Sequence, residues 1–220
     1  MKTAYRKDYP GEFIILNTRI VNGVKEQKRE WVENPIENQH ISDRALVVGS
    51  NYDLVTFDYT RLENHKGGLQ GRKRLQTYGT EKSWRGMRLD FYVSTDEEEL
   101  TDINESNYFE TTSVYSSTRL VLLNPGKYFL IPHSVSMYDP ALAIYLAAFD
   151  GHNEVFLIGY GNDTPFVGVN WINQVRDVMA SYATTQFILV GPEGTMPDAW
   201  RNLQNVRTME YRYFISYCDV

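Results

Sequence analysis

The chain of 220 residues contains one cysteine, Cys218, which excludes an intrachain disulfide and leaves too few thiolates for a zinc cluster. A reducing compartment suits such a chain, with Cys218 inert. Histidine is scarce as well: His40, His65, His133 and His152 are the whole supply, so few residues offer imidazole chemistry. No apolar run approaches the roughly 20 residues of a membrane-spanning helix. The opening "MKTAYRKDYPGEF" also lacks the apolar core of a secretory signal, so the expectation is a protein without membrane attachment, located in the cytoplasm. Positive charge is in deficit, at a net −6. General nucleic-acid binding is thereby excluded, because it needs a positive field over one face. There is no Asp-x-Asp strand-end motif, no internal repeat and no low-complexity stretch, so no metal centre is expected.

What is present is enough apolar material, 42% of the chain, for one compact domain with a small appendage. The appendage is residues 1–43, where Asn22-Gly23 stands between two extended runs, the strongest hairpin signal in the sequence. Its return strand is mostly charged, which reads as a sheet edge or as a contact for oligomerisation. Residues 44–220 form the main domain. "ALVV" at 45–48 has no polar alternation and suits a strand covered on both faces. "RLDFYVST", "STRLVLLN" and "KYFLI" read as further strands, whereas "LVTFDYTRLENH" fits neither period. In "YDPALAIYLAAFDG" a helix is expected with Asp139 as N-cap, Pro140 in the first turn and Gly151 closing it. The strand "EVFLIG" follows. "NWINQVRDVMASY" places Trp171, Val175, Val178, Met179 and Tyr182 on one helical face, ahead of the strand "TQFILVG". A short helix in "MPDAWRNLQNV" and a last strand in "YRYFISY" complete the reading. This alternation predicts a Rossmann-like three-layer α/β domain, its sheet mostly parallel with right-handed crossovers, carrying an added N-terminal β-hairpin.

In such sheets ligands bind beyond the carboxyl ends of the strands. Gly49 ends the first strand of the domain, and a glycine loop there lets backbone amides meet a phosphate, with Asn51 placed to bond a base or a ribose hydroxyl. An ordinary polar turn over Ser50–Asp53 accounts for the same residues. Glu193, after Gly191, would face the same crevice. The acids of "STDEEEL" suit a solvated helix start better than a cation site. "HKGGLQGRKR" gathers Lys66, Arg72, Lys73 and Arg74, either as an exposed loop or as a partner for a diphosphate or for another subunit's acids.

Three stretches together resemble the sialyltransferase-like Rossmann-fold family, which includes bacterial sialyltransferases and phage and archaeal relatives. "ALVVGSNYDLVTFDYTRLEN" keeps that family's strand, its glycine and a segment like its Tyr-Ser-Arg-Leu, but replaces its Gly-Asn-Gly-Pro-Ser loop. "RLQTYGTEKSW" resembles its next strand end at Tyr78-Gly79-Thr80, without the asparagine. "YDPALAIYLAAFDGHNEVFLIGYG" is similar to its helix, glycine and strand, with Asp139-Pro140 at the place of a Ser-Gly pair. The resemblance spans about residues 44–206. It implies a glycosyltransferase that moves a sugar from a nucleotide-sugar donor to an acceptor hydroxyl, with Gly49, Ser50, Asn51, Tyr78, Gly79 and Ser134 binding the donor. No further cofactor is implied. The family's base histidine has no counterpart after Gly159, so His133 or Asp163 takes that role. With loop, Ser-Gly pair and histidine all altered, a second reading stands beside the first: a relative without catalysis that serves as a phage assembly protein, or pairs with itself through the hairpin.

Overall fold

The computed structural model describes residues 11–33, 42–49, 75–162 and 170–218. Its strands are β1 (Glu12–Val21), β2 (Val24–Glu33), β3 (Arg44–Val48), β4 (Leu75–Gly79), β5 (Phe91–Val93), β6 (Ser113–Ser116), β7 (Phe129–Leu130), β8 (Glu154–Ile158), β9 (Gln186–Val190) and β10 (Val206–Met209). The helices are α1 (Glu97–Glu105), α2 (Thr118–Leu123), α3 (Asp139–Phe149), α4 (Trp171–Ser181) and α5 (Tyr211–Cys218). All the strands join one sheet in the order β10-β9-β8-β3-β4-β5-β6-β7-β1-β2. From β10 to β7 every neighbouring pair is parallel, and only the β1–β2 hairpin and its seam with β7 are antiparallel. The expected mostly parallel sheet with an added hairpin is therefore the fold.

Parallel strands need crossovers over the sheet faces, and the apolar sequence of β3, β8 and β9 reflects this covering. On one face α3 and α4 pack over Val47, Tyr78, Phe91 and Leu157. On the other, α1, α2 and α5 contribute Leu100, Ile103, Leu120, Val121, Phe214 and Cys218 over Leu46, Val48, Tyr92 and Phe156. Helix α3 is buried from Pro140 to Phe149, which is why its sequence is apolar all round, whereas α4 buries only Trp171, Val175, Val178 and Met179. Gly151, at φ +88°, ends α3 as expected. Asn22 (φ +52°) and Gly23 (φ +79°) form the two-residue hairpin turn.

Three segments differ from the sequence reading. "YRYFISY" is helix α5, because Phe214 and Cys218, four residues apart, share one buried face while Tyr213 and Tyr217 stay exposed. The tyrosines favoured a strand by propensity, and packing overrides it. "TRLVLL" is helix α2, the strand being the preceding "SVYS"; a short apolar run does not distinguish the two states. The helix expected in "MPDAWRNLQNV" is a single 3-10 turn at Asp198–Trp200, and Val206 opens the parallel edge strand β10 instead. Cys218 is fully buried, in keeping with an inert thiol.

Candidate functional site

The chain builds β3 to β7 outward in one direction and then returns to place β8 on the other side of β3. The switch point between β3 and β8 is where loops diverge and a crevice opens at the carboxyl ends. Gly49 and Gly159 meet there. Gly159 takes φ +77°, and the Gly49 N–H donates to Ile158 O at 2.9 Å, so the first amide of the expected phosphate loop is already engaged. Ser50 and Asn51 lie outside the described residues, as do Asp163 and the basic stretch 66–74.

Beside the switch point lies a cleft of about 760 Å³, walled by the segments leaving β4 and β5 and by the starts of α1, α3 and α4. Six carboxyl groups line it, Glu81, Asp96, Glu98, Glu99, Asp102 and Asp139, with Lys82 the one cation among the lining residues. Three helix N-termini at the rim supply positive dipole ends that favour these anions. Two of the acids are structural. Asp96 caps α1 by accepting from the amides of Glu98 (2.7 Å) and Glu99 (3.0 Å). Glu99, buried at 7% exposure, accepts from Tyr92 Oη (2.7 Å), the Lys82 amide (2.8 Å) and Ser94 Oγ (2.8 Å). The expectation of a solvated helix start thus holds for Glu97 and Glu98 but not for Glu99.

The chemically distinctive pair is Glu81 and Asp139. Glu81 and Lys82 both hold left-handed backbone, at φ +52° and +65°, a conformation costing about 1–3 kcal/mol per residue. The Lys82 amide, bonded to Glu99 and at 2.9 Å to Tyr92 Oη, pins the turn. Burial, followed by the negative fields of Asp139 and Glu99, raises the Glu81 carboxyl to about 7. Asp139 is the first residue of α3 rather than its cap. Its carboxylate instead accepts from Thr95 N (2.9 Å) and Thr95 Oγ1 (2.6 Å), tying the end of β5 to α3. Burial raises Asp139 to about 6 despite those two bonds. Two carboxyl groups that exchange protons near neutral pH therefore face one cleft. Tyr160 lies in the same field: its hydroxyl donates to Pro140 O at 3.1 Å, and burial, with Glu81 and Asp139 behind it, pushes it well above the ordinary tyrosine range.

A second cleft of about 280 Å³ continues the first along the ends of β6 and β7, and the two share Thr95, Ser136 and Met137. Its polar lining is hydroxyl-rich: Ser117, Thr118, Ser134 and Ser136, with Arg119 at the edge. Arg119 pairs with Glu97 at 2.6 Å.

Of the residues expected to bind or react, Ser134 lines this second cleft, at φ +50° and exposed. His133, also left-handed at φ +56°, is exposed and meets Phe149 in a T-shaped contact at 5.6 Å between centroids; it lines neither cleft. Tyr78 is fully buried, its hydroxyl donating to Asp150 Oδ2 at 2.6 Å and meeting His152 Nε2 at 2.9 Å. The other nitrogen of that imidazole faces Ser42 O at 2.9 Å, so this network ties β4 to the segment between α3 and β8. Tyr78→Phe is expected to lower stability by about 1–2 kcal/mol, read as a fall of about 2–8 °C in Tm, with ligand binding unchanged. Gly79 packs against Leu89, Ser83 and Tyr92, which leaves no room for a Cβ.

Glu81 escaped the sequence reading although its signal was present. Like Asp163, it is an acid just beyond a glycine-ended strand, two residues after Gly79. Among the described residues no group of three or more His, Cys, Asp or Glu side chains is arranged to hold a metal ion, and no helix is long and apolar enough to cross a membrane. Compared with protein-family models, curated proteins and solved structures, the chain matches none of them.

Proposed function

We propose that the chain transfers a sugar from a nucleotide-activated donor to a hydroxyl group of an acceptor lying in the acidic cleft, with Glu81 as general base. The observation that carries this reading is the joined pair of clefts at the strand ends, lined by hydroxyls and carboxyls, with a carboxyl group held near pH 7 at one end. Carboxylates and hydroxyls together accept from and donate to a polyhydroxylated ligand, and Tyr138, 42% exposed at the rim, offers an aromatic face to a sugar ring. Six acids against one lysine repel a diphosphate, so the cleft suits a neutral acceptor, while the donor's nucleotide belongs toward Gly49 and the β3–β8 switch point. Glu81 takes the acceptor's hydroxyl proton as the new C–O bond forms at the anomeric carbon. The bond from that carbon to the donor phosphate oxygen breaks, and the nucleotide leaves with the electron pair.

The exposed hairpin favours a second reading, an interaction protein that binds no donor. Thermal melting with nucleotides, nucleotide sugars and neutral oligosaccharides separates the two. A ligand at a hundred times its Kd stabilises the folded chain by about 2.7 kcal/mol. An upward shift is expected with one class of nucleotide sugar and, independently, with a neutral oligosaccharide whose binding barely responds to salt. No shift with any nucleotide sugar would remove the transferase reading and leave the interaction protein.

A further inference from the structure

The two edges of the sheet are built differently. β10 is a short strand, as protected edges are, whereas β2 runs for ten residues, paired with β1 in unbroken register from Val24 to Glu33, with no bulge and no proline. Among the described residues the hairpin is anchored at its root alone: Phe13 pairs with Phe129, Ile14 is buried, and the Gly126 amide bonds Ile14 O. From Thr18 to Arg29 every residue is exposed. An isolated two-stranded ribbon is marginal in water, so an arm of this length gains from a partner.

We infer that β2 pairs edge to edge with β2 of a second copy of this chain, antiparallel about a twofold axis through Arg29. Three features select that partner and register. The two-residue turn makes Val21–Val24 a hydrogen-bonded pair, so Lys25, Gln27, Arg29, Trp31 and Glu33 direct their N–H and C=O groups away from β1. A twofold axis perpendicular to the sheet brings residues of one face opposite each other, so odd positions meet odd positions and those free groups meet their own kind. With Arg29 on the axis, Lys25 stands opposite Glu33 and Lys28 opposite Glu30 of the other copy, each pair occurring twice, against the single like-charged meeting of Arg29 with its own counterpart. Moving the axis to Lys28 sets that residue against itself and Glu26 against Glu30 twice, and moving it to Glu30 sets that residue against itself with no opposite-charge pair to offset it. Lys28 and Glu30 already approach to 3.1 Å within the strand, which places both heads on the face where the second copy's pair arrives. The arm's other face carries Leu16, Ile20 and Trp31, exposed by 43%, 78% and 41%, with Lys25 and Arg29 along it and the acids Glu12 and Glu33 confined to its root. Pairing joins the two copies of this face into one surface.

Sedimentation velocity of the full chain over a concentration series tests the pairing. A dimer is expected for the natural sequence, with Kd raised at least tenfold in Lys28→Glu and restored in the swapped variant carrying Lys28→Glu with Glu30→Lys. Arg29→Pro removes an outward N–H without touching the β1–β2 ladder and is expected to abolish the dimer, circular dichroism confirming that the fold is kept. A natural chain that stays monomeric at high concentration overturns the inference. So does a dimer that Lys28→Glu and Arg29→Pro leave intact, or a monomer whose arm instead binds vesicles of anionic lipid.

Discussion

Gly79→Ala is expected to lower the stability of the fold by about 2–4 kcal/mol and the Tm by about 5–15 °C. The reason is local crowding, with no ligand involved. Gly79 ends β4 opposite Tyr92 of β5, and a Cβ there would lie 2.2 Å from Leu89 Cδ1, 2.5 Å from Ser83 Oγ and 3.3 Å from Tyr92 Cδ2. Neither of the two nearest atoms is free to swing aside. Leu89 is 2% exposed in the core beneath α1, and Ser83 Oγ accepts the Thr80 amide at 3.1 Å, a bond that the turn carrying Glu81 depends on. The comparison that isolates this cause is Gly191→Ala at the end of β9, where a Cβ meets only Thr195 Oγ1 at 3.5 Å; that change is expected to stay within about 0.5 kcal/mol. Urea unfolding of both variants without ligand decides the matter. If the two behaved alike, close packing would not be why Gly79 is glycine, and a role in approaching a ligand would regain ground. Loss of the Ser83 bond should also loosen the Glu81 turn, so any transfer activity of Gly79→Ala should fall together with its stability.

That glycine illustrates what the sequence makes legible. Its position at a strand end was readable only through the family resemblance, since "LQTYG" is no apolar run, whereas β3, β8 and β9 are short apolar runs, α3 is marked by Pro140 and Gly151, and α4 carries an apolar face at helical spacing. Its purpose was not readable, since Leu89 and Tyr92 reach it only through the parallel pairing of β4 with β5, and Ser83 through the turn its Oγ closes on the Thr80 amide. The same limit applies to the cleft. Asp139 has the residue type, and nearly the position, of an N-cap, and only the return of α3 over β5 shows that its carboxylate serves Thr95. Glu81 sits 58 positions earlier, and its raised pKa is a property of burial and of the neighbours that the fold brings near it. His133 stands just before α3 and beside the second cleft, as its sequence position suggests, yet Ser134 and not the imidazole lines that cleft, a distinction of side-chain direction that sequence does not carry. In α5 the tyrosines obscured a helical face made by residues 211, 214, 215 and 218.

Glu81→Gln is expected to lower the proposed transfer by about 10²–10⁴-fold while acceptor binding persists, because the amide keeps the shape and the hydrogen-bonding capacity but cannot accept the proton. A carboxyl raised to about 7 also dictates the form of the pH profile. The base must be ionised, so kcat/KM should climb with pH and level off above 7, and the residual activity of the variant should lack that limb. Stability moves the opposite way, and its sign follows from the direction of the shift. The folded pKa lies above the unfolded value near 4.5, so the folded state carries no penalty at pH 4, where the carboxyl is protonated in both states. The penalty grows as pH rises from about 4.5 and is complete above about 7. Once solvent screening of this partly exposed group is allowed for, its size is about 1–2 kcal/mol. The variant should therefore melt with the natural chain at pH 4 and about 2–8 °C above it at pH 8. The two measurements constrain each other. A variant that loses activity without gaining stability at pH 8 would mean that Glu81 is not held against its ionisation, and a base role would then need another carboxyl of the cleft. One that gains stability and keeps its activity would leave Glu81 a buried acid without a part in proton transfer.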